Sequence, residues 1–285
     1  MQPFLIDLTG IDGDADFSLM PGLFSPKVRP HLFAFSGFAR LADHIADSVW
    51  LTREEKIARL DVLEAALDNE AVAGWSEEAS RVIHNIRYSL RETGISSRHA
   101  RRIVQAFRRD VTGERKYTWD DLRAYCQDAA APVGRYMLEL LHEDQSVCGK
   151  PADDLCAALR ILKRLRDCRG AADQFNRLCI PEQFMNDAMV SIEHLKAPSA
   201  KGQTRAVIDR VLDGVDRLLS NAELLPGLIR HRGLRMHTAI VLCRGQKLAA
   251  RFREEDPLQG RVTLSRWQRF TCRWKILIGG LVGRI

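Results

Sequence analysis

The sequence predicts an all-α protein. Three observations lead there. Leu, Ala, Arg and Glu dominate a chain that is poor in aromatics, and this composition favours helix. Runs of alternating β-branched residues are nearly absent. Thr52-Arg53-Glu54-Glu55 and Thr118-Trp119-Asp120-Asp121 both carry the pattern in which a Thr hydroxyl and an acid three residues on cap each other's backbone. At 285 residues, with 46% hydrophobic and 28% charged side chains, the chain can bury a large core. No repeat, low-complexity tract or linker divides it. We read residues 1–15 as a loose lead-in, 16–265 as one helical domain and 266–285 as a basic and apolar tail.

The elements follow in order. Pro21, Gly22, Pro26 and Pro30 break the first ordered stretch into turns. A helix then runs through Phe38–Asp47. Ala34, Phe38, Leu41 and Ile45 form its buried side, and Asp43 and Asp47 leave the other side one turn apart. The Thr52 box opens a helix with Ile57, Leu60, Leu63 and Leu67 on one face. Further helices are predicted over 76–91, ending near Gly94, and over 98–110, capped by Ser96 or Ser97. The Thr118 box opens another, through Tyr125 toward Pro132, with a helical continuation from Gly134 to His142. A long helix over 152–169 places Leu155, Leu159, Leu162 and Leu165 inward. Two more cover 203–222 and 234–255.

Net charge is +6 and the pI about 9.0, which favours an anionic partner. No basic patch alternates with aromatics in the way single-strand binders require, which argues against nucleic acid. The cysteines number seven, an odd count, and no C-x-x-C occurs, so neither a zinc site nor a disulfide framework is expected. A reducing, cytoplasmic setting follows. The N-terminus carries acids before any base, unlike a signal or transit peptide. No apolar run reaches the length of a membrane span.

Two polar faces carry the chemistry. Like charges at the spacing of Asp43 and Asp47 weaken an isolated helix slightly, but they suit a cation between them. Mg²⁺ fits such use, since it takes a few carboxylates and leaves room for phosphate oxygens. The same pattern also suits a solvated acidic face. On the 152–169 helix, Cys156, Arg160, Lys163, Asp167 and Ala171 line up roughly opposite the leucines.

Taken with their neighbours, these faces resemble blocks of the squalene/phytoene synthase family, and within it the bacterial hydroxysqualene synthases. The matching residues are Arg29-Pro30-His31 with Phe38, Ala39, Arg40, Ala42, Asp43, Ile45, Ala46 and Asp47. Ala106-Phe107 with Asp110 and Arg115 follow, then Tyr125-Cys126 with Pro132-Val133-Gly134-Arg135. Leu155-Cys156 with Ala158-Leu159, then Asp167-Cys168 with Pro181, and finally Asp256 to Ser265 complete the order. The resemblance spans about residues 16 to 270. It implies an isoprenoid synthase (terpenoid synthase-like) helical bundle around a central cavity, in which two aspartate-rich helices hold Mg²⁺ and a diphosphate. It implies Asp43, Asp47 and Asp167 as catalytic metal ligands and Arg40, Arg115 and Arg135 at the diphosphate; Arg160 and Lys163, which depart from the family pattern, are placed at the diphosphate by the first of the two readings below. The implied substrate is an isoprenoid diphosphate like presqualene diphosphate, ionised with loss of diphosphate and captured by water. A companion squalene-pathway enzyme is the implied partner.

The departures concentrate at the chemistry. Pro21-Gly22 replaces a Ser-Arg pair, and His44 stands where a second acid is usual. Ser36 and Lys116 replace aromatics, Ala129 a Ser and Cys179 a Tyr. In the second motif Arg160, Lys163, Arg166 and Ala171 stand for Gln, Asn, Gln and Asp. Asp173 reaches the site only if the helix breaks near Gly170. Two readings follow: an enzyme in which Arg160, Lys163 and Arg164 partly replace Mg²⁺, or a catalytically degenerate relative that acts as a binding or assembly partner. In the tail, Trp267, Phe270 and Trp274 stand beside Arg266, Arg269 and Arg273, as in a peripheral anchor on the inner membrane. On this sequence basis, replacing Asp43 and Asp47 removes a repulsive pair and leaves the fold intact.

Overall fold

The computed structural model describes residues 18–68, 75–113, 117–168 and 180–281, with side chains to Trp274. Among these residues there are helices and no strands. The lead-in over 1–15 lies outside them, as do Arg115, Lys116, Ala171, Asp173 and Cys179.

The first long helix, α1 (Arg29–Asp47), starts earlier than its hydrophobic pattern suggested, because Pro30 sits in the first turn, where its missing N–H costs nothing. Its inward side chains Ala34, Phe38, Leu41 and Ile45 are buried as expected. Both predicted capping boxes form, opening α2 (Arg53–Ala65) and α5 (Trp119–Ala129). Between them lie α3 (Glu77–Thr93) and α4 (Arg98–Thr112). Gly94 ends α3 at a φ of 68°, where a Cβ would be strained. At α4 it is the Ser96 hydroxyl, not that of Ser97, that accepts the backbone N–H of Arg98.

Helices α6 (Ala131–Leu140) and α7 (Gln145–Arg166) follow. The start of α7 corrects the sequence reading by about two turns: Asp144 caps it by accepting the Ser146 N–H, and Pro151 is carried inside the helix. Two short helices, α8 (Glu182–Asp187) and α9 (Ile192–Lys196), lead to α10 (Gln203–Asn221), α11 (Leu225–Leu228), α12 (Arg232–Glu254) and α13 (Arg266–Leu281). The last of these continues through Gly279 and Gly280, although both weaken a helix.

One core joins these elements. Helix α1 packs on α2, α3, α4 and α6, while α7 packs on α5, α6, α10, α11 and α12. The two long helices are joined to each other by side chains rather than by close backbone packing, and that gap becomes the cavity described below.

Several family blocks turn out to be scaffold. His31 shares a hydrogen bond with Ser89, which in turn meets the buried Tyr136 hydroxyl at 2.8 Å, and Tyr136 stacks on Phe35. At the other end of the domain, Asp256 accepts the N–H groups of Ala200 and Leu258, closing the turn after α12.

Candidate functional site

Between α1, α4, α6 and α7 lies a cavity of about 250 Å³. Ala39, Phe107, Val133, Cys156 and Leu159 give it an apolar wall. Its polar residues are Arg40, Asp43, Arg160 and Lys163. The 3.6-residue period that buries Leu155, Leu162 and Leu165 carries Cys156, Arg160 and Lys163 to the opposite side of α7. That side therefore faces the cavity rather than bulk solvent.

Across the gap, Arg160 Nη1 donates to Asp43 Oδ1 at 2.8 Å and Lys163 Nζ donates to Asp43 Oδ2 at 2.6 Å. Both carboxylate oxygens of Asp43 are thus occupied by cations. Burial pushes the Asp43 carboxyl up, but the Arg160 and Lys163 charges outweigh it and hold it well below the usual carboxylate range. Burial likewise opposes the Arg160 cation, and the Asp43 charge more than restores it. The Arg160 side chain is only 11% exposed and that of Lys163 is 39%, so Lys163 is the cation that solvent or a ligand can reach.

A second layer supports this pair. Arg160 Nη2 also reaches the Tyr125 hydroxyl at 3.2 Å, and its guanidinium lies over the Phe107 ring at 5.1 Å. Arg164 pairs with the buried Asp110 and donates to the Tyr125 hydroxyl at 2.7 Å, while that hydroxyl donates to Asp110 at 3.2 Å. Burial raises the Tyr125 phenol to about 12, so it stays protonated and can serve both arginines and the aspartate. Burial also raises the Cys156 thiol to about 12, which leaves it an apolar wall rather than a nucleophile.

The other expected residues fall in different places. Arg40 stands exposed at the cavity mouth and makes no ion pair among the described residues. Asp47 sits one turn beyond Asp43. The protein crowded around its carboxyl and the Asp43 charge both raise it, against the opposing charges of Arg164, Arg160 and Lys163, and the residue keeps a face open to water. Asp167 is not among the residues that line the cavity. It ends α7 as an exposed C-cap residue, and the groups opposite Asp43 are Arg160 and Lys163 instead.

Arg135 does not join the site. Its guanidinium makes a two-pronged pair with Asp153, 2.7 Å on each side, and donates to Gln145, stapling α6 to the first turns of α7. It lies so close over α7 that a Cβ on Gly149 would fall 1.9 Å from Nη1. Arg115 lies outside the described residues.

Mg²⁺ was expected on Asp43, Asp47 and Asp167, and the described residues do not fit it. No group of three or more His, Cys, Asp or Glu side chains able to hold a metal occurs among them. A hard divalent cation needs several free oxygens, and the oxygens of Asp43 already accept from two fixed cations.

Comparison with known proteins agrees with this architecture. The squalene/phytoene synthase family model matches residues 12–268. The chain belongs to that family. A hydroxysqualene synthase of Sinorhizobium fredii is 32% identical over 88% of this chain and 84% of its own length. One from Rhodopseudomonas palustris is 30% identical over 88% and 84%. Among solved structures, a dehydrosqualene synthase in complex with ligand superimposes with a TM-score of 0.77 at 20% identity, over 94% of this chain and 92% of that one. A squalene synthase from Alicyclobacillus acidocaldarius gives 0.71 at 22% identity, over 85% and 89%. The fold is therefore terpenoid synthase-like, and the relatives support a synthase-like role in the squalene pathway.

Within this squalene/phytoene synthase fold, the motif blocks had already marked Phe107, Asp110 and Tyr125, but not their joint role around Arg160 and Arg164. Helical spacing alone puts Arg160 and Arg164 one turn apart. What it cannot give is that α4 and α5 supply their partners.

Proposed function

We propose that this chain is a hydroxysqualene synthase-like enzyme of squalene and hopanoid formation, acting on presqualene diphosphate or a close isoprenoid diphosphate. The observation that carries this reading is an apolar cavity whose charged residues, among those described, are Arg40, Asp43, Arg160 and Lys163. A hydrocarbon chain fills such a cavity, and its diphosphate stays at the charged mouth. The leaving group departs with the electron pair of the C–O bond, so charge develops on its oxygens. Preorganised cations stabilise that charge in a site that excludes water. Lys163 is the accessible donor, and the diphosphate competes for it with Asp43. Arg40 supplies a second charge at the mouth. Water then adds to the rearranged cation and loses a proton.

The test is purified protein with presqualene diphosphate, following pyrophosphate release in Mg²⁺ and in EDTA. We expect release that persists in EDTA, because fixed cations occupy the place of the metal. No release in either condition rules out turnover. The neutralisation of Asp43 by two cations favours a second reading, a relative that binds an isoprenoid diphosphate without turning it over. Binding without release would support it.

Membrane contact belongs to the same proposal. Trp267, Phe270 and Trp274 are 71%, 51% and 56% exposed on α13 and stack in sequence along it, while the buried Cys272 meets Cys243 of α12. Such a stripe with Arg266 and Arg273 suits the headgroup region of anionic lipid, where a prenyl-lipid substrate or product would dissolve. Deleting 267–285 should remove most binding to anionic liposomes at low salt, and unchanged pelleting would rule the anchor out. No described helix is long and apolar enough to cross a membrane.

A further inference from the structure

Val133, Cys156 and Leu159 wall a second compartment as well as the first. It holds about 130 Å³ between α6, α7, α11 and α12. Aliphatic side chains such as Leu155, Leu225 and Val241 line it, with no charged residue among the described ones. His237 and Thr238, adjacent on α12, are the exceptions to its apolar lining. His237 is only 8% exposed, and its Nδ1 is buried with no hydrogen-bond partner. Leaving a buried ring nitrogen unpaired costs its full desolvation, and such groups call for an explanation.

The surroundings do not supply one. The Phe24 ring meets His237 edge-on at 5.8 Å, a packing contact. Burial and then the Arg244 charge hold the imidazole down at about 4. It is therefore neutral near pH 7, with one nitrogen donating and the other accepting. The Thr238 hydroxyl hydrogen is directed at the carbonyls of Leu234 and Arg235, 3.0 and 2.9 Å away, which leaves its oxygen as an acceptor. An apolar chamber with a neutral donor and acceptor at one point discriminates against anions. It suits an apolar molecule with a single hydroxyl.

We propose that this compartment is a hydroxyl-binding site, in which the His237 ring turns its orphaned, enclosed Nδ1 toward the compartment and hydrogen-bonds the oxygen of a prenyl alcohol or of the water that becomes one. For the water case the inference rests on the reading under Proposed function. As the water oxygen bonds to the carbocation, one of its O–H bonds breaks and the proton passes to an imidazole nitrogen. Product release returns that proton to solvent, so atoms and charge balance. A protonated alcohol is a much stronger acid than an imidazolium, so even this weakly basic His237 accepts the proton downhill.

The experiment uses the full chain with farnesol and with farnesene, a hydrocarbon of the same carbon number. Calorimetry should show farnesol bound about tenfold more tightly, the equivalent of one good hydrogen bond in an apolar site. His237→Phe should bring the two to parity, and His237→Gln, which keeps a donor and an acceptor, should retain part of the preference. In the unmodified chain, the ¹⁵N resonances of the His237 ring should move with farnesol and not with farnesene, which tests the site even if a variant fails to fold. Equal affinity for the two ligands, or resonances that ignore the hydroxyl, would overturn the site. Where presqualene diphosphate is turned over, the hydroxylated share of the product should fall in His237→Gln relative to the unmodified chain. An unmodified chain that releases no pyrophosphate but still prefers farnesol would reject the enzymatic reading and leave the hydroxyl site standing.

Discussion

The mouth of the cavity and its inner compartment solve the problem of burying polarity in opposite ways. At the mouth, where Arg40 stands exposed to solvent, the buried charges come in answered sets: Asp43 with Arg160 and Lys163, Asp110 with Arg164 and Tyr125. In the inner compartment a single neutral imidazole stands among aliphatic side chains with Nδ1 unanswered. The buried charge at the mouth has become self-sufficient, because cations stand where the family resemblance expects Gln and Asn, and Arg160 and Lys163 share the Asp43 carboxylate. The inner compartment has kept a group that gains a partner only when something enters. Function at the mouth therefore depends on displacing a bond already made, whereas inside it depends on making one that is missing.

The largest effect should come from breaking the answered set at the mouth. Asp43→Asn leaves the buried Arg160 cation without its counter-charge, and removing one partner of a buried pair costs about 3 kcal/mol. Urea denaturation should show that loss at pH 7. This reverses the expectation from sequence, where Asp43 and Asp47 counted only as a repulsive pair. The pH dependence has a definite sign. The folded-state carboxyl of Asp43 lies below its unfolded value, so its contribution is present above about pH 4 and is lost as pH falls further toward the folded value. The variant should lack that acid-side decline.

A smaller effect should come from the wall between the two chambers. Gly134 on α6 faces Cys156 on α7, and a Cβ there would sit 2.9 Å from the Cys156 Sγ. Gly134→Ala should cost about 1–2 kcal/mol by overpacking. Adding Cys156→Ala removes the colliding sulfur, so the double variant should recover most of that loss, a coupling that a double-mutant cycle measures directly. Additive losses would mean that the wall is not held by this contact.

The contrast also explains what the sequence could reveal. The helices were legible because each carries its own local signal: the boxes at Thr52 and Thr118, Gly94 after α3, and the leucine stripe of α7. The start of α7 was not, because Pro151 looked like a boundary while Asp144 supplied the actual cap. Motif order identified the family and brought Asp43, Arg160 and Lys163 to one cavity. It misplaced Arg135, since nothing local tells an arginine whether Asp153 or a ligand will take its fork. It passed over His237, which is one polar residue on a mostly buried helix and becomes distinctive only when its neighbours from α6, α7 and α11 are known.

The smallest effect should come from Asp47, and it is the one that separates a metal-holding mouth from a cation-lined one. Asp47 is open to water on one side, so solvent screens its charge and Asp47→Asn should change stability by less than about 0.5 kcal/mol. The sign is opposite to that of Asp43. Crowding and the Asp43 charge raise its folded-state carboxyl, so any contribution it makes is fully present below the unfolded value, near pH 4, and is lost as pH rises through the folded one. At pH 7 the variant should therefore match the parent or slightly exceed it. Ligand binding gives the sharper readout. If Asp47 held Mg²⁺ for a diphosphate, as the family resemblance implies, Asp47→Asn should abolish the binding of a non-hydrolysable prenyl thiodiphosphate. If the mouth works through Lys163 and Arg40, removing a negative charge one turn from Asp43 should leave that binding unchanged or tighten it, with EDTA making no difference. Loss of binding in the variant, restored by excess Mg²⁺, would return the site to a metal-held design and reduce the Asp43–Lys163 pair to a resting arrangement that the ion displaces.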